Sequence, residues 1–350
     1  MNQLYPWQQS VWPQIRNHVI TKAQAFIFSG RKGIGQLEFS EYLAQSLLCE
    51  QPTQAQFACG SCRSCQWFEQ GTHPNFYRLE PEALLAESDL DAIQALSDSK
   101  QSSEDTNSKK KLSQQITIDQ IRHLDQFLYL SGHQSGRKIL LIHPADCMNV
   151  SAANAMLKRI EEPPPQVLFF LVTDRLQALI PTIVSRCMRI TLPYPDRLSV
   201  KNWLHQEGIE ENSIDLSWFG TSPQLVKRYL EAGYSAYYVA LIEKLSSPMQ
   251  LDPITLAEKL HKQELSMIVS WLQKWCYDLV SFQILGRVYY HHRYEAAIKT
   301  IVAATEPKQL IDFWKRLAQF QQWSRHSLNA RLFLEELLFA YIKTCSRISN

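Results

Sequence analysis

The sequence lacks the features that mark fibrous, secreted and membrane-spanning proteins. Glycine is scarce, with 11 residues in 350, while 45% of the chain is hydrophobic and 20% is charged. That composition is typical of a globular protein. No apolar run approaches the roughly 20 residues that a membrane helix needs. The opening segment Met1–Ser10 is neither basic nor apolar, so we expect no secretory signal and a cytoplasmic location.

A strong net charge is also missing. The chain carries 36 Lys and Arg against 34 Asp and Glu, for a net charge of +2. This near balance excludes whole-chain electrostatics as a reason for binding nucleic acid, although a local basic face stays possible.

One segment lacks nearly all apolar residues. Between Ser97 and Gln115 the only aliphatic residue is Leu112, and no aromatic residue occurs. Such a segment buries too little surface to offset its ordering entropy, so we predict a disordered surface insertion at about 97–115. Its Lys109–Lys111 run could contact phosphates, but a solvated loop is the favoured interpretation.

The apolar runs that do occur in the first half have the length of strands and are separated by helical patterns. They are Ala25–Phe28, Phe76–Leu79, Ile139–Ile142, Val167–Val172 and Met188–Leu192. Strands that alternate with helices predict an α/β domain with a parallel, five-stranded sheet and covering helices.

The pattern changes after Leu192, where Pro193 and Pro195 mark a boundary. Leu198–His205 and Gln224–Ala232 predict a small helical unit, and amphipathic helical patterns follow from about Tyr237 onward. Aromatic residues recur there at helical spacing, and we expect them in the core or in packing faces between helices. They include Trp271, Trp275 and Phe339.

Four of the eight cysteines lie within 17 residues, at Cys49, Cys59, Cys62 and Cys65. Four thiolates in one short loop can form a closed tetrahedral zinc site, which has a structural rather than a catalytic role. An iron–sulfur cluster and plain thiols remain as alternatives. The other cysteines are scattered, and we expect them to be buried core thiols.

A glycine-rich turn follows the first predicted strand. Gly30 and Gly35 occupy the glycine positions of the phosphate-loop pattern G-x-x-x-x-G-K-[ST], with Gly33 between them. Gln36 stands where the pattern has the phosphate-binding Lys, and Leu37 stands where it has the Mg²⁺-binding hydroxyl.

The acidic companion motif is altered as well. After the strand Ile139–Ile142, His143 and Pro144 stand at the Mg²⁺-organising Asp and the catalytic Glu, and only Asp146 remains acidic. We therefore predict a degenerate loop that does not hydrolyse ATP. A tight turn without nucleotide ancestry is the alternative, and weak nucleotide binding through backbone N–H groups stays open.

The motifs together resemble the delta-prime family of bacterial clamp-loader subunits, part of the AAA+ clamp loaders of DNA polymerase III. The matching stretches are Gly30–Leu37, Cys59–Cys65, Gly71–Pro74, Ser151–Lys158, Glu161–Pro164, Ser185–Cys187 and Gly220–Pro223. The C-terminal third matches only in length and helical character. Two departures are the insertion at 97–115 and Gln224, near which motor relatives have a nucleotide-sensing Arg.

The resemblance implies three domains. Residues 1–192 form an AAA+-like domain with a zinc module at 49–65, residues 193–236 a helical lid, and residues 237–350 a helical collar. It implies the role of a non-catalytic stator in a five-membered ring, beside gamma or tau motor subunits and opposite the clamp-opening delta subunit. The sliding clamp and primed DNA are partners through the assembly, and no membrane is involved.

The resemblance also gives a role to Ser185-Arg186-Cys187, a tripeptide with almost no specificity alone. In this family, Arg186 would reach in trans into the ATP site of a neighbouring motor subunit, where such an arginine contributes about 10³–10⁵ in rate. Thr173 matches the first sensor position and is interpreted as a remnant. Two alternative functions are an active AAA+ motor ATPase and a zinc-dependent nucleic-acid-binding module.

Overall fold

The computed structural model describes residues 4–21, 23–85, 113–129, 136–208, 222–231, 233–324 and 329–345. The chain divides into two compact units, Met1–Trp203 and Leu204–Asn350. The predicted insertion lies outside the described residues except for 113–115. On either side of the gap, the backbone N–H of Ala83 donates to the carbonyl of Ser113 at 3.1 Å. The division into three domains stays a prediction.

The first unit contains five strands and eight α-helices within its described part. The strands are β1 (Ala25–Ser29), β2 (Phe76–Leu79), β3 (Lys138–Ile142), β4 (Val167–Thr173) and β5 (Met188–Thr191). The helices are α1 (Pro6–Gln9), α2 (Trp12–Thr21), α3 (Gln36–Leu48), α4 (Arg63–Glu69), α5 (Ile118–Tyr129), α6 (Val150–Glu161), α7 (Pro181–Arg186) and α8 (Arg197–Gln206), the last of which continues past Trp203.

The strands form one parallel sheet in the order β2-β3-β4-β1-β5. The strands β1, β3 and β4 are buried along their whole length, as expected for the centre of a sheet covered on both faces. Successive residues of β1 point to opposite faces of the sheet. Ile27 packs in the core formed with α5, α6 and α7, and Phe26 and Phe28 pack in the core formed with α2 and α3. The predicted fold class of this half is confirmed.

Parallel strands bring their carboxyl ends to the same edge of the sheet. Ser29 at the end of β1 pairs with Thr173 at the end of β4. The glycine turn, the residues after β3 and the residues after β4 all begin at this edge, so the fold brings these three motifs together, whereas Ser185–Cys187 precedes β5 and lies at the opposite edge.

The second unit is helical throughout its described part. Its helices are α9 (Pro223–Glu231), α10 (Tyr234–Leu245), α11 (Pro253–Leu260), α12 (Leu265–Leu285), α13 (Glu295–Ala304), α14 (Pro307–Trp323) and α15 (Ala330–Cys345). Trp271 and Trp275 are buried, as predicted. The prediction for Phe339 is wrong: it is 51% exposed, because α15 buries the opposite side, which carries Leu334, Leu337 and Tyr341.

None of the helices in the described ranges has the length and apolar character needed to cross a membrane.

Candidate functional site at the carboxyl edge of the sheet

The glycine turn lies between the end of β1 at Ser29 and the start of α3 at Gln36. Gly33 and Gly35 have φ angles of 81° and 92°, in the left-handed region that favours glycine. Gly35 is the N-cap of α3. The chain therefore has the strand, turn and helix that a phosphate loop requires.

The loop is closed by its own side chains. The buried amide of Gln36 donates from Nε2 to the carbonyl of Arg31 at 2.8 Å. The buried side chain of Ile34 lies over Gly30, since a Cβ on that glycine would be 2.6 Å from Ile34 Cδ1. The residue at the lysine position thus completes the turn instead of reaching outward.

The helix α1 covers the same loop. The indole Nε1 of Trp7 donates to the Ile34 carbonyl at 3.0 Å, and the buried Gln8 donates from Nε2 to the Gly35 carbonyl at 2.9 Å. The ring of Tyr5 stacks on Trp7 with centroids 4.8 Å apart. These contacts were not found from the sequence, where the only signal was the aromatic and polar character of Met1–Ser10.

His143, which we predict to stand at the position of the Mg²⁺-organising Asp, belongs to a network of charged side chains. Its Nδ1 lies 3.3 Å from Glu80 Oε1, which also accepts from Arg78 at 2.7 Å. Arg78 donates in addition to Glu41 at 2.6 Å. Burial raises the pKa of Glu80, but hydrogen bonds from His143 and Arg78 outweigh it, so the pKa lies below its usual value. His143 therefore takes part in a structural network.

Asp146 and Thr173 are directly hydrogen bonded. The Thr173 hydroxyl donates to Asp146 Oδ1 at 2.7 Å, and Arg175 forms an ion pair with Asp146 Oδ2. The Thr173 oxygen also accepts from the backbone N–H of Arg175 at 2.9 Å. The hydrogen bond between Asp146 and Thr173 thus ties the segments that follow β3 and end β4 together. Sequence reasoning missed Arg175, because a lone arginine after a strand carries no signal.

The tripeptide Ser185-Arg186-Cys187 joins α7 to β5. Arg186 is the last residue of α7, and its side chain is 45% exposed. Its Nε forms an ion pair with Glu161, and its Nη1 donates to Ser185 Oγ at 3.3 Å. The Ser185 hydroxyl in turn donates to the Thr182 carbonyl at 3.0 Å. The arginine is therefore presented at the surface.

Cys187 has the opposite environment. It is buried in the core on the α5, α6 and α7 side. Burial raises the pKa of its thiol to about 12, so the thiol stays protonated and unreactive at neutral pH. Cys187 therefore fixes the backbone of the tripeptide by packing in the core, and we expect its thiol to have a structural role.

The four clustered cysteines converge on one point. Cys49 follows the end of α3, Cys62 is the N-cap of α4, and all four sulfur atoms lie within 4.8 Å of one another. The Cys49–Cys62 and Cys59–Cys65 sulfur distances are 3.8 and 3.9 Å. Zinc bound at about 2.3 Å in a tetrahedron places its sulfur ligands about 3.8 Å apart, so the cluster fits a single zinc ion.

Backbone N–H groups support this ligand set. Those of Cys59, Cys62 and Cys65 approach the sulfurs of Cys49, Cys59 and Cys62 at 3.4, 3.3 and 3.5 Å. Hydrogen bonds from the Ser61 and Cys62 backbone lower the pKa of the Cys59 thiol to about 6, while burial raises the pKa of the Cys49 and Cys65 thiols. Donors of this kind stabilise the thiolate form that binds a metal.

The Gly71–Pro74 motif connects this cluster to the sheet. The Ser64 hydroxyl donates to the Leu48 carbonyl at 2.7 Å and lies 2.9 Å from His73 Nε2. His73 Nδ1 accepts from the Asn75 backbone N–H at 3.0 Å, so Nε2 carries the proton and donates to Ser64. Burial lowers the pKa of His73, which favours the neutral ring. This relay ties α4 to α3 and β2.

Both units match known protein families. Residues 7–196 match the family described as DNA polymerase III, delta subunit, and residues 236–343 match DNA polymerase III, delta subunit, C terminal. The DNA polymerase III subunit delta′ of Pseudomonas aeruginosa is 30% identical over 293 residues, covering 81% of this chain and 79% of that protein. The same subunit of Haemophilus influenzae is 25% identical, covering 78% and 77%.

A solved DNA polymerase III gamma subunit-related protein from Thermotoga maritima is 19% identical, with a TM-score of 0.45, and the match covers 95% of this chain and 99% of that one. The family models match both units, and delta′ subunits match most of the length of the chain. The chain therefore belongs to the DNA polymerase III delta′ family of clamp-loader subunits.

Proposed function

We propose that this chain is the non-hydrolysing stator of a bacterial clamp loader and supplies Arg186 in trans to the ATP site of a neighbouring motor subunit. One contrast carries the proposal. The chain's own phosphate loop is closed by Gln36 and Ile34 and covered by α1, whereas Arg186 is exposed at the surface of the same unit.

The first half of the proposal is that the chain does not turn over ATP. Hydrolysis needs a lysine for the phosphates, a hydroxyl and an acid for Mg²⁺, and a residue that activates water. Gln36, Leu37, His143 and Pro144 stand at those positions. Gln36 and His143 are engaged with Arg31 and Glu80, so neither is placed to replace the missing groups.

The second half concerns the neighbour. A guanidinium that enters an ATP site from another subunit offsets charge on the transferring phosphoryl group. Arg186 is suited to this role because Cys187 fixes the backbone in the core while the side chain stays accessible. A chain that lacks the groups used in cis but presents the arginine used in trans fits a stator better than a motor.

The partners follow from the same proposal. They are gamma or tau motor subunits and the delta subunit in a five-membered ring, with the sliding clamp and primed DNA bound by the assembly in the cytoplasm. Zinc held by Cys49, Cys59, Cys62 and Cys65 would have no open coordination position. Its role is to hold the loop between α3 and α4, and it takes no part in the reaction.

The test is ATP hydrolysis, stimulated by DNA and clamp, in a ring reconstituted with unaltered chain, Arg186→Ala or Arg189→Ala. Arg189 is also exposed and lies on β5 three residues away, so its variant matches the loss of charge. We expect Arg186→Ala to lower turnover and Arg189→Ala to leave it near the unaltered value, with equal assembly of all three rings. Equal turnover in all three would refute the trans role.

The isolated chain separates the alternatives. We expect no ATP turnover from it. Turnover that survives repurification would favour a motor ATPase, and a tight, salt-sensitive complex with DNA would favour a zinc-dependent nucleic-acid-binding module.

A further inference from the structure

We propose that Glu161 is the positioning residue for Arg186: its carboxylate holds the Nε side of the guanidinium so that the outer end of the group is turned toward the neighbouring subunit. This inference rests on the proposed function. It assigns a task to Glu161-Glu162-Pro163-Pro164, a motif that neither the phosphate loop nor the zinc cluster uses.

The contacts of Arg186 involve some of the N–H donors of its guanidinium. Glu161 pairs with Nε and Ser185 Oγ accepts from Nη1. These contacts engage Nε and, at most, one of the two N–H groups of Nη1. An arginine has five N–H donors in a planar fork, so Nε–H and one Nη1–H can be held while other Nη donors stay available for a phosphate oxygen.

Both members of the pair are next to residues that are buried in the hydrophobic core. Glu161 is the last residue of α6 and follows Ile160, which is buried in the core. Arg186 is the last residue of α7, which buries Ile183 in the same core and is followed by the buried Cys187. The separation of the two Cα atoms is therefore set by packed elements and not by the exposed side chains.

The prolines give Glu161 its position. α6 ends at Glu161, and Pro163 and Pro164 cannot continue the helix. Glu162 stands next in sequence and is also exposed, yet the described structure places no cation beside it. Both glutamates are exposed, and of the two only Glu161 forms the ion pair with Arg186, so Glu162 supplies a control that matches the loss of charge.

Positioning matters because an exposed arginine otherwise samples many rotamers. A group held near its productive geometry contributes more to the rate than a mobile one, and misplacement by about 1 Å can cost up to about 10²-fold. The pair is exposed on both sides, at 45% for Arg186 and 40% for Glu161. Exposed pairs are weak, so the arginine can adjust when it meets a phosphate.

The experiment is a double-mutant cycle in the reconstituted ring. The variants are Glu161→Ala, Glu161→Gln, Glu162→Ala, Arg186→Ala and the double variant Glu161→Ala with Arg186→Ala, each checked for equal assembly and equal thermal unfolding. The readouts are kcat and KM for ATP. The loss caused by Arg186→Ala sets the scale, because only the site completed by this chain responds.

We expect Glu161→Ala to lower kcat about two- to fivefold, as the loss of a weak exposed pair predicts, and therefore less than Arg186→Ala does, with KM for ATP little changed. Glu161→Gln keeps an oxygen acceptor and should lose less, and Glu162→Ala should match the unaltered ring. In the Arg186→Ala background, Glu161→Ala should have no further effect.

Each other outcome is decisive. If Arg186→Ala lowers turnover but Glu161→Ala does not, or raises it, the positioning role is wrong and the proposed function stands. If Glu161→Ala lowers turnover equally in both backgrounds, Glu161 acts independently of Arg186 and the inference is again wrong. If Arg186→Ala itself has no effect, the proposed function fails.

Discussion

We expect the buried side chain of His73 to make the stability of the first unit sensitive to acid. Burial lowers the pKa of His73 in the folded chain. Just below about pH 6.5, this histidine is therefore protonated in the unfolded chain but still neutral in the folded chain. The stabilisation is present above that pH and is lost as the pH falls through the window between the folded and unfolded pKa values. We expect the urea concentration at the unfolding midpoint of the first unit to decrease when the pH is lowered from about 7.5 to about 5.5.

The variant His73→Gln isolates this contribution. A glutamine can donate to Ser64 and accept from the Asn75 N–H, so we expect a loss of only about 1–2 kcal/mol at pH 7.5 and a flatter pH profile below it. His123→Gln, on the exposed surface of α5, is the control and should keep the unaltered profile. Zinc content is measured at each pH, since a profile that follows metal release would assign the effect to the cysteines.

Among the elements, the segment between α3 and α4 depends on its metal. We expect one zinc per chain, and we expect Cys62→Ser to lose it because three thiolates leave the tetrahedron open. Zinc binding contributes to folding free energy, so this variant should unfold at lower urea concentration. Cys147→Ser, whose thiol lies outside the cluster, should keep the zinc. Zinc determination and urea unfolding are the measurements.

Two results would contradict this expectation. Visible absorbance together with bound iron would support the iron–sulfur alternative. Full zinc content in Cys62→Ser would show that the metal is held elsewhere.

The elements differ in how well the sequence predicts them. The central strands β1, β3 and β4 are continuous apolar runs bounded by polar residues, so their positions and parallel arrangement were predictable. The cysteine cluster was predictable because the ligands are close along the chain. Contacts between distant residues were not. Trp7 and Gln8 reach Ile34 and Gly35 across 26 or 27 positions, and no spacing rule connects them.

The same limit applies to the candidate site. Arg186 could be named from the resemblance, but its pairing with Glu161 depends on how α6 and α7 pack. The prediction for Phe339 on α15 was wrong for a similar reason. Helical spacing identifies residues that share one side of a helix, but it does not say which side is buried.

For the molecule as a whole, the second unit has an interior of its own that is independent of the zinc and the phosphate loop. Its buried polar centre is Asp278, whose carboxylate accepts from the backbone N–H groups of Tyr289 and His291 at 2.8 Å each. The His291 ring lies 2.8 Å from the same carboxylate through Nδ1 and 2.7 Å from the Tyr238 hydroxyl through Nε2. Each member of this network depends on the others to satisfy its hydrogen bonds.

Removing the carboxylate should therefore destabilise the second unit and leave the first unchanged. We expect Asp278→Ala to cost about 3–5 kcal/mol, because it leaves buried donors without acceptors. Asp278→Asn keeps one oxygen acceptor and should cost less. Calorimetric unfolding reports on the whole chain, while release of zinc on heating reports on the first unit alone. A lower main transition with an unchanged zinc-release midpoint is the expected result. If both midpoints fall together, the chain unfolds as one cooperative body, and the two compact units are not separate in their stability.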